Sequence, residues 1–357
     1  MPRPGAERLP EIDWLKGLAI LGVVCVHSLL LYPSPVFVHL INRGVPTFLF
    51  AFGITSELWW QREVVRAPEG LVKRWYAQRL RRLLPGYWAL TAIWWLCVVL
   101  GQRPPSGMQV GPIQALVSLL GYAPWIGTTW FFAMVLQFVA VFPLLRWLTV
   151  RAGAVLSLSF AAVVTLASVW FAPQITAAQG AVLGRGPGLD LYHYWIFAPR
   201  VLWHVVAGIF VARWWGGKVE LRTTLGALAM AAFGTLIAAL WSGRSSAGAQ
   251  PNALVQWLDV PFALALLGLL RLAWLPGPAL RFLAWCGLWS WGIYLGHILL
   301  HDLLQMAGFA PFFGRQPVRA VYALGLLAGG SVLAVVAERV SRAVSPRVAR
   351  WNTSSAA

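Results

Sequence analysis

Apolar windows close to 20 residues long recur from one end of this sequence to the other, beginning with Leu15 to Tyr32 in EIDWLKGLAILGVVCVHSLLLYP. A helix of about 20 residues spans the hydrocarbon of a bilayer. Within hydrocarbon, only helices and closed barrels satisfy every backbone polar group. The ~10-residue alternating segments of a barrel are not seen. Ten helical spans can be drawn, over 14–32, 44–61, 83–101, 126–145, 153–172, 196–214, 223–241, 253–271, 283–304 and 320–337. Composition agrees, with 11% charged residues against about 25% in soluble domains, and a mean hydropathy of +0.69. The expected fold is an all-α integral membrane protein, a bundle of about ten transmembrane helices in one domain over 1–357. No appended soluble domain is expected. The first apolar run is longer than a signal-peptide core and no small-residue cleavage site follows, so it reads as a retained span. A further apolar stretch at 112–124 fits a re-entrant or interfacial segment.

The net charge of +17 would point a soluble protein towards nucleic acid. In a membrane protein, Lys and Arg gather in cytoplasmic loops instead. With both termini cytoplasmic, 21 of the 28 basic residues fall inside, leaving Arg43, Arg103, Arg185, Arg200, Arg244, Arg315 and Arg319 outside. Membrane lipids are therefore expected partners and nucleic acid is not. Cys25, Cys97 and Cys286 lie in apolar runs without CxxC spacing, which suits packing rather than a disulfide or metal site. The outer segment GLDLYHYW, Gly188 to Trp195, reads either as interfacial anchoring or as a rim on which a sugar stacks.

Ionisable residues inside a span mark functional sites by default. His27 stands eleven positions after Lys16, about three helical turns, so both lie on one stripe about 16 Å apart along the axis. Asp13 stands one turn before Lys16, where a carboxylate suits the helix N-terminus. Histidine can take and return a proton near neutral pH; it can also simply bond a neighbouring helix. His204, one turn after Arg200, and His297 and His301 are in or near spans and carry the same two readings. The loop VKRWYAQRLRRLLPGYW places Arg79 and Arg82 at i and i+3, on one helix face. Their guanidinium forks suit phosphate and equally suit lipid headgroups. Pro85 follows where it would kink the third span. An anion held at the inner surface by Lys16, Arg79 and Arg82 could send a long neutral arm up to His27, which is the shape of an acyl-CoA.

Four segments resemble the acyltransferase 3 family of integral-membrane O-acyltransferases. DWLKGLAILGVVCVH (Asp13 to His27) is similar to the family's opening acid, basic residue and histidine. GVPTFLFAFGI (Gly44 to Ile54) is similar to its second span, RLRRLLP to its Arg-x-x-Arg-x-x-Pro pattern through Arg79, Arg82 and Pro85. LWSWGIYLGHILL resembles its late motif through Ser290, Gly292, Tyr294 and His297, and TWFF at 129–132 a shorter Trp-Phe motif. Lys16 stands where many members have Arg, and Phe52-Gly53 where they have Ser-Gly.

The resemblance implies a multi-pass O-acetyltransferase-like enzyme of a bacterial cell (cytoplasmic) membrane, transferring groups other than aminoacyl groups. The donor it implies is cytoplasmic acyl-CoA, with acetyl-CoA expected, and the acceptor a hydroxyl on an envelope or exported carbohydrate or glycolipid. No permanently bound cofactor and no metal are expected. His27 is the implied catalytic residue, as base or as transient acyl acceptor. Lys16, Arg79 and Arg82 are the expected donor-binding residues. Asp13, Trp130, Ser290, Tyr294 and His297 are candidate supporting groups, with Trp130, Tyr294 or His297 available to meet an oxyanion. The competing expectation is a ten-span transporter or flippase for a small acid or glycolipid.

Overall fold

The computed structural model describes residues 9–28, 42–101, 112–123, 129–183, 189–214, 220–242, 253–271, 276–307 and 316–344. These are all-α, with no strand among the described residues. Among the described residues, thirteen α-helices follow one another: α1 Pro10–His27, α2 Gly44–Arg66, α3 Leu71–Val99, α4 Pro112–Leu119, α5 Trp130–Trp170, α6 Ala172–Leu183 and α7 Leu189–Ile196, then α8 Leu202–Trp214, α9 Leu221–Ser242, α10 Ala253–Arg271, α11 Gly277–Leu288, α12 Ser290–Met306 and α13 Gln316–Val344. A 3-10 turn, Ala198–Val201, leads into α8.

Wherever they are described, the ten drawn spans fall on helix, but the breaks differ from expectation. Spans 126–145 and 153–172 follow each other within α5 without a loop: two helices meet at a kink at Gly153, whose φ of 78° leaves the helical region. Span 283–304 is broken at Trp289, where α11 and α12 meet at 74°. Pro85 lies within α3 rather than at its start, and residues 29–32 of the first span lie outside the described residues. Among the described residues, three helices are long and apolar enough to cross a membrane: α3, α5 and residues Gln316–Val336 of α13. The bent pair of α11 and α12 supplies a fourth if it acts as one span. α1, 18 residues long, carries Glu11, Asp13 and Lys16 in its N-terminal half. The all-α class thus stands, while the number of ten spans and the side of the termini rest on the sequence pattern alone.

Segment 112–124 supplies α4, pinned to α3 by polar bonds. The Tyr87 hydroxyl donates to the Ser118 carbonyl at 2.8 Å, and the Trp88 and Trp95 indoles donate to the Leu119 carbonyl and Ser118 hydroxyl. The outer segment also differs from both of its readings. Tyr192, His193 and Tyr194 are buried, with the Tyr192 hydroxyl accepting from Ala123 N–H and His193 bonded to Tyr122 at 2.7 Å. These side chains hold the loop to the bundle, because buried polar rings need partners.

Lipid tails are as apolar as leucine, so helices in a bilayer associate through close packing rather than expulsion from water. Glycine permits the closest approach here. A Cβ on Gly53 would strike the Val205 carbonyl, and one on Gly208 the Phe50 carbonyl, so α2 and α8 cross nearly backbone to backbone. Gly17 and Gly287 do the same for α1 and α11, against Leu283 and Asp13. Gly208→Leu is expected to force α2 and α8 apart, at about 1–3 kcal/mol or more. A lowered unfolding temperature in lipid nanodiscs is the readout; wild-type stability would mean that the crossing is not tight.

Candidate active site

His27 ends α1, and the bend at Trp289 carries α12 across it. The His27 Nδ1 and His297 Nε2 are 2.7 Å apart, with rings stacked at 5.0 Å between centroids. The other nitrogen of His297, Nδ1, lies 3.0 Å from the Ile293 carbonyl. A carbonyl can only accept, so Nδ1 of His297 carries the proton and Nε2 has the lone pair. His27 must then donate from Nδ1, which leaves its Nε2 as a free lone pair. His297 fixes His27 in the tautomer of a base, with Nε2 facing away from the pair. His27 is half-buried, whereas His297 is fully buried. His297 has no remaining N–H to offer an oxyanion.

His301, one turn after His297, also stacks on His27, with centroids 6.0 Å apart. Gln305 donates to its Nε2 at 2.9 Å, so its Nδ1–H is directed at the Tyr322 hydroxyl, 2.7 Å away. Tyr294 lies edge-on to His297 at 5.9 Å and to Phe131 at 5.2 Å. Ser290 opens α12, two turns from His297, and does not join the histidine cluster.

Arg79, from α3, meets the middle of α2. Its guanidinium sits 4.4 Å from the Trp75 ring and 5.7 Å from Phe52, and donates to the Ser56 hydroxyl at 3.3 Å. Cation–π contacts of this kind hold a charge in an apolar setting. Arg82 follows on the same face of α3. One residue beyond Ser56, fully buried Glu57 accepts from Arg146 Nε at 2.8 Å, Arg213 Nη1 at 3.1 Å and Gln61 at 3.0 Å. Lys16 pairs with Asp13 at 2.6 Å on its own helix.

The two ends are joined along α2. Val45, Phe48, Phe52 and Thr55 recur at helical spacing and are half-buried, a stripe on one face. Phe52 packs against Trp75, Phe138 and Phe142, and Phe48 against Phe131. Phe131 in turn meets Tyr294 and so the histidine pair. Gly44 abuts Val23, one turn before His27. From Ser56 to Gly44 is 12 residues, about 18 Å of helix.

A second polar cluster lies at the His27 end. Arg43 pairs with Asp259, whose second oxygen is 3.5 Å from His204 Nε2. Arg200 donates to the Trp195 carbonyl and sits between Tyr194 at 4.9 Å and Trp130 at 5.8 Å. Trp130 therefore belongs to this aromatic cage, with Trp195 at 5.3 Å. Arg43 and Arg200, read from sequence as outer-loop charges, are buried.

The structure thus brings together His27, His297 and Tyr294, and further along α2 Arg79 with the Ser56–Glu57 turn. Sequence reasoning did not single out Glu57, Asp259 or Tyr322, and treated Arg146 and Arg213 only as topology charges. Glu57 in ITSELWW and Asp259 in WLDVPF were detectable, being lone acids inside apolar runs. Their partners, from distant helices, were not.

Fold and site define a helical membrane protein with a bonded histidine pair in its interior and a cationic cluster on α2 about 18 Å along that helix from Gly44. The family model described as an acyltransferase domain, acyltransferase 3, matches residues 9–338. Covering nearly the whole chain, that match shows that the protein belongs to this family of membrane acyltransferases. No curated protein and no solved structure matches it.

Proposed function

We propose that this acyltransferase moves an acyl group, acetyl in the first instance, from cytoplasmic acyl-CoA to a hydroxyl of an envelope or exported carbohydrate. The observation that carries the reading is the His297-fixed tautomer of His27, which leaves Nε2 as base. The donor's phosphates lie at Arg79 and Arg82, and its pantetheine arm follows the Phe52–Phe48 stripe. Its thioester then reaches His27 over about 18 Å or a little more. As the acceptor hydroxyl attacks the thioester carbonyl, its proton passes to His27 Nε2. The carbon–sulfur bond then breaks, and the departing thiolate takes that proton to leave as CoA thiol. His27 Nδ1–H stays bonded to His297 throughout and shares the transient positive charge. An acyl-histidine route would use the same nitrogen. The protein crosses the cell membrane with the Arg79 end cytoplasmic, as the distribution of basic residues supports.

The test is binding of acetyl-CoA to purified protein in nanodiscs. Wild type is expected to bind in the micromolar range and Arg79→Ala/Arg82→Ala to lose at least about tenfold, since hydrogen bonds to charged groups contribute about 1.5–3 kcal/mol each. Folded wild type that binds neither acetyl-CoA nor longer acyl-CoAs would overturn the donor assignment and favour transport.

A further inference from the structure

Glu57, Arg146 and Arg213 come from α2, α5 and α8 and meet with an imbalance of charge. One fully buried carboxylate faces two guanidinium groups, and Arg79 adds a third cation one residue away at Ser56. Glu57 takes Nε and Nη2 of Arg146 and only Nη1 of Arg213. The arginine side chains are 18% and 30% exposed, against 0% for Glu57. Their outward N–H groups therefore face the surface while the buried carboxylate fixes their angle. Arg146 is further held 5.3 Å from the Trp60 ring and Arg213 5.7 Å from Trp214. Two forks anchored at the back and open at the front suit a group with several acceptor oxygens and about two negative charges. A phosphomonoester at neutral pH has both properties.

We propose that Glu57 holds Arg146 and Arg213 as a subsite for a phosphomonoester dianion, filled by the 3′-phosphate on the ribose of acyl-CoA. The inference rests on the acyl-CoA donor reading. Arg79, next to this subsite, takes the donor's pyrophosphate, so the two ends of the nucleotide are held by separate clusters. Arg146 and Arg213 are binding residues here, and Glu57 is a positioning residue.

The experiment compares acetyl-CoA with acetyl-3′-dephospho-CoA by calorimetry in phosphatidylcholine nanodiscs. Wild type is expected to prefer acetyl-CoA by about ten- to a hundredfold, the range for the net gain of one charge-assisted hydrogen bond. In Arg213→Gln and Arg146→Gln that preference shrinks towards one, while affinity for the dephospho compound stays within about twofold of wild type. Glu57→Gln keeps the shape and frees the arginines, so it reports on positioning without a new cavity. It is expected to bind the dephospho compound normally and to discriminate less. Equal affinity of wild type for both nucleotides overturns the subsite and leaves the donor reading standing; binding of neither overturns both. A lipid phosphomonoester offers the same chemistry, so the series is repeated with phosphatidate in the discs. Arg213-dependent phosphatidate binding without nucleotide discrimination would assign the cluster to lipid and overturn the proposal.

Discussion

Transfer by His27→Ala is expected to fall about 10²- to 10⁴-fold, the usual contribution of a positioned general base, while acetyl-CoA binding stays near that of wild type. The separation follows from the distances. The arginine cluster is about 18 Å down α2 from Gly44, and Gly44 packs one turn before His27. Loss of the imidazole therefore leaves the phosphate contacts intact. His297→Leu removes the acceptor that fixes the His27 tautomer but preserves bulk. It is expected to lower kcat by less than His27→Ala, with KM for acetyl-CoA unchanged, as for a residue that orients a base without touching substrate. Thioester cleavage coupled to acetylation of a membrane-extracted acceptor is the assay. Equal rates in wild type and His27→Ala would remove the base from this site.

The second large effect concerns stability. Asp259→Ala is expected to cost about 3–5 kcal/mol, because it strands a charge inside the bundle. The Arg43 side chain is 3% exposed and would keep its contact with Phe262, 5.2 Å from the ring centre, which cannot neutralise it. His204 would lose its carboxylate neighbour as well. Replacing both partners by apolar residues, as in Arg43→Met/Asp259→Leu, is expected to recover most of that loss. The recovery distinguishes a stranded charge from a simple cavity. Folded yield and unfolding temperature in nanodiscs measure it. An Asp259→Ala protein as stable as wild type would show that Arg43 finds another partner.

Much of the candidate site was legible because its parts are short-range patterns. The eleven-residue interval from Lys16 to His27, the Arg79–Arg82 pair and the late Ser290–His297 segment each lie within one helix, and helical period alone fixes which residues share a face. Lys16 forms an ion pair with Asp13 on its own helix. The GLDLYHYW segment was misread because aromatic residues at a helix end look the same whether they face lipid or the bundle. Only the positions of Ala123 and Tyr122 decide that Tyr192 and His193 turn inward.

By itself the sequence determined the all-α class, the placement of apolar helices and the family, since hydropathy, helical period and motif order are properties of neighbouring residues. Tertiary structure decided the chemistry of the site. His27 and His297 are 270 positions apart, and nothing within the His27 segment says which of its nitrogens holds the proton. Contact with the Ile293 carbonyl on one side and with His27 on the other fixes it, because a carbonyl accepts and cannot donate. The same reason applies to Glu57, whose partners Arg146 and Arg213 lie 89 and 156 positions away. A buried carboxylate must be satisfied, but only the crossing of α2, α5 and α8 selects which cations satisfy it.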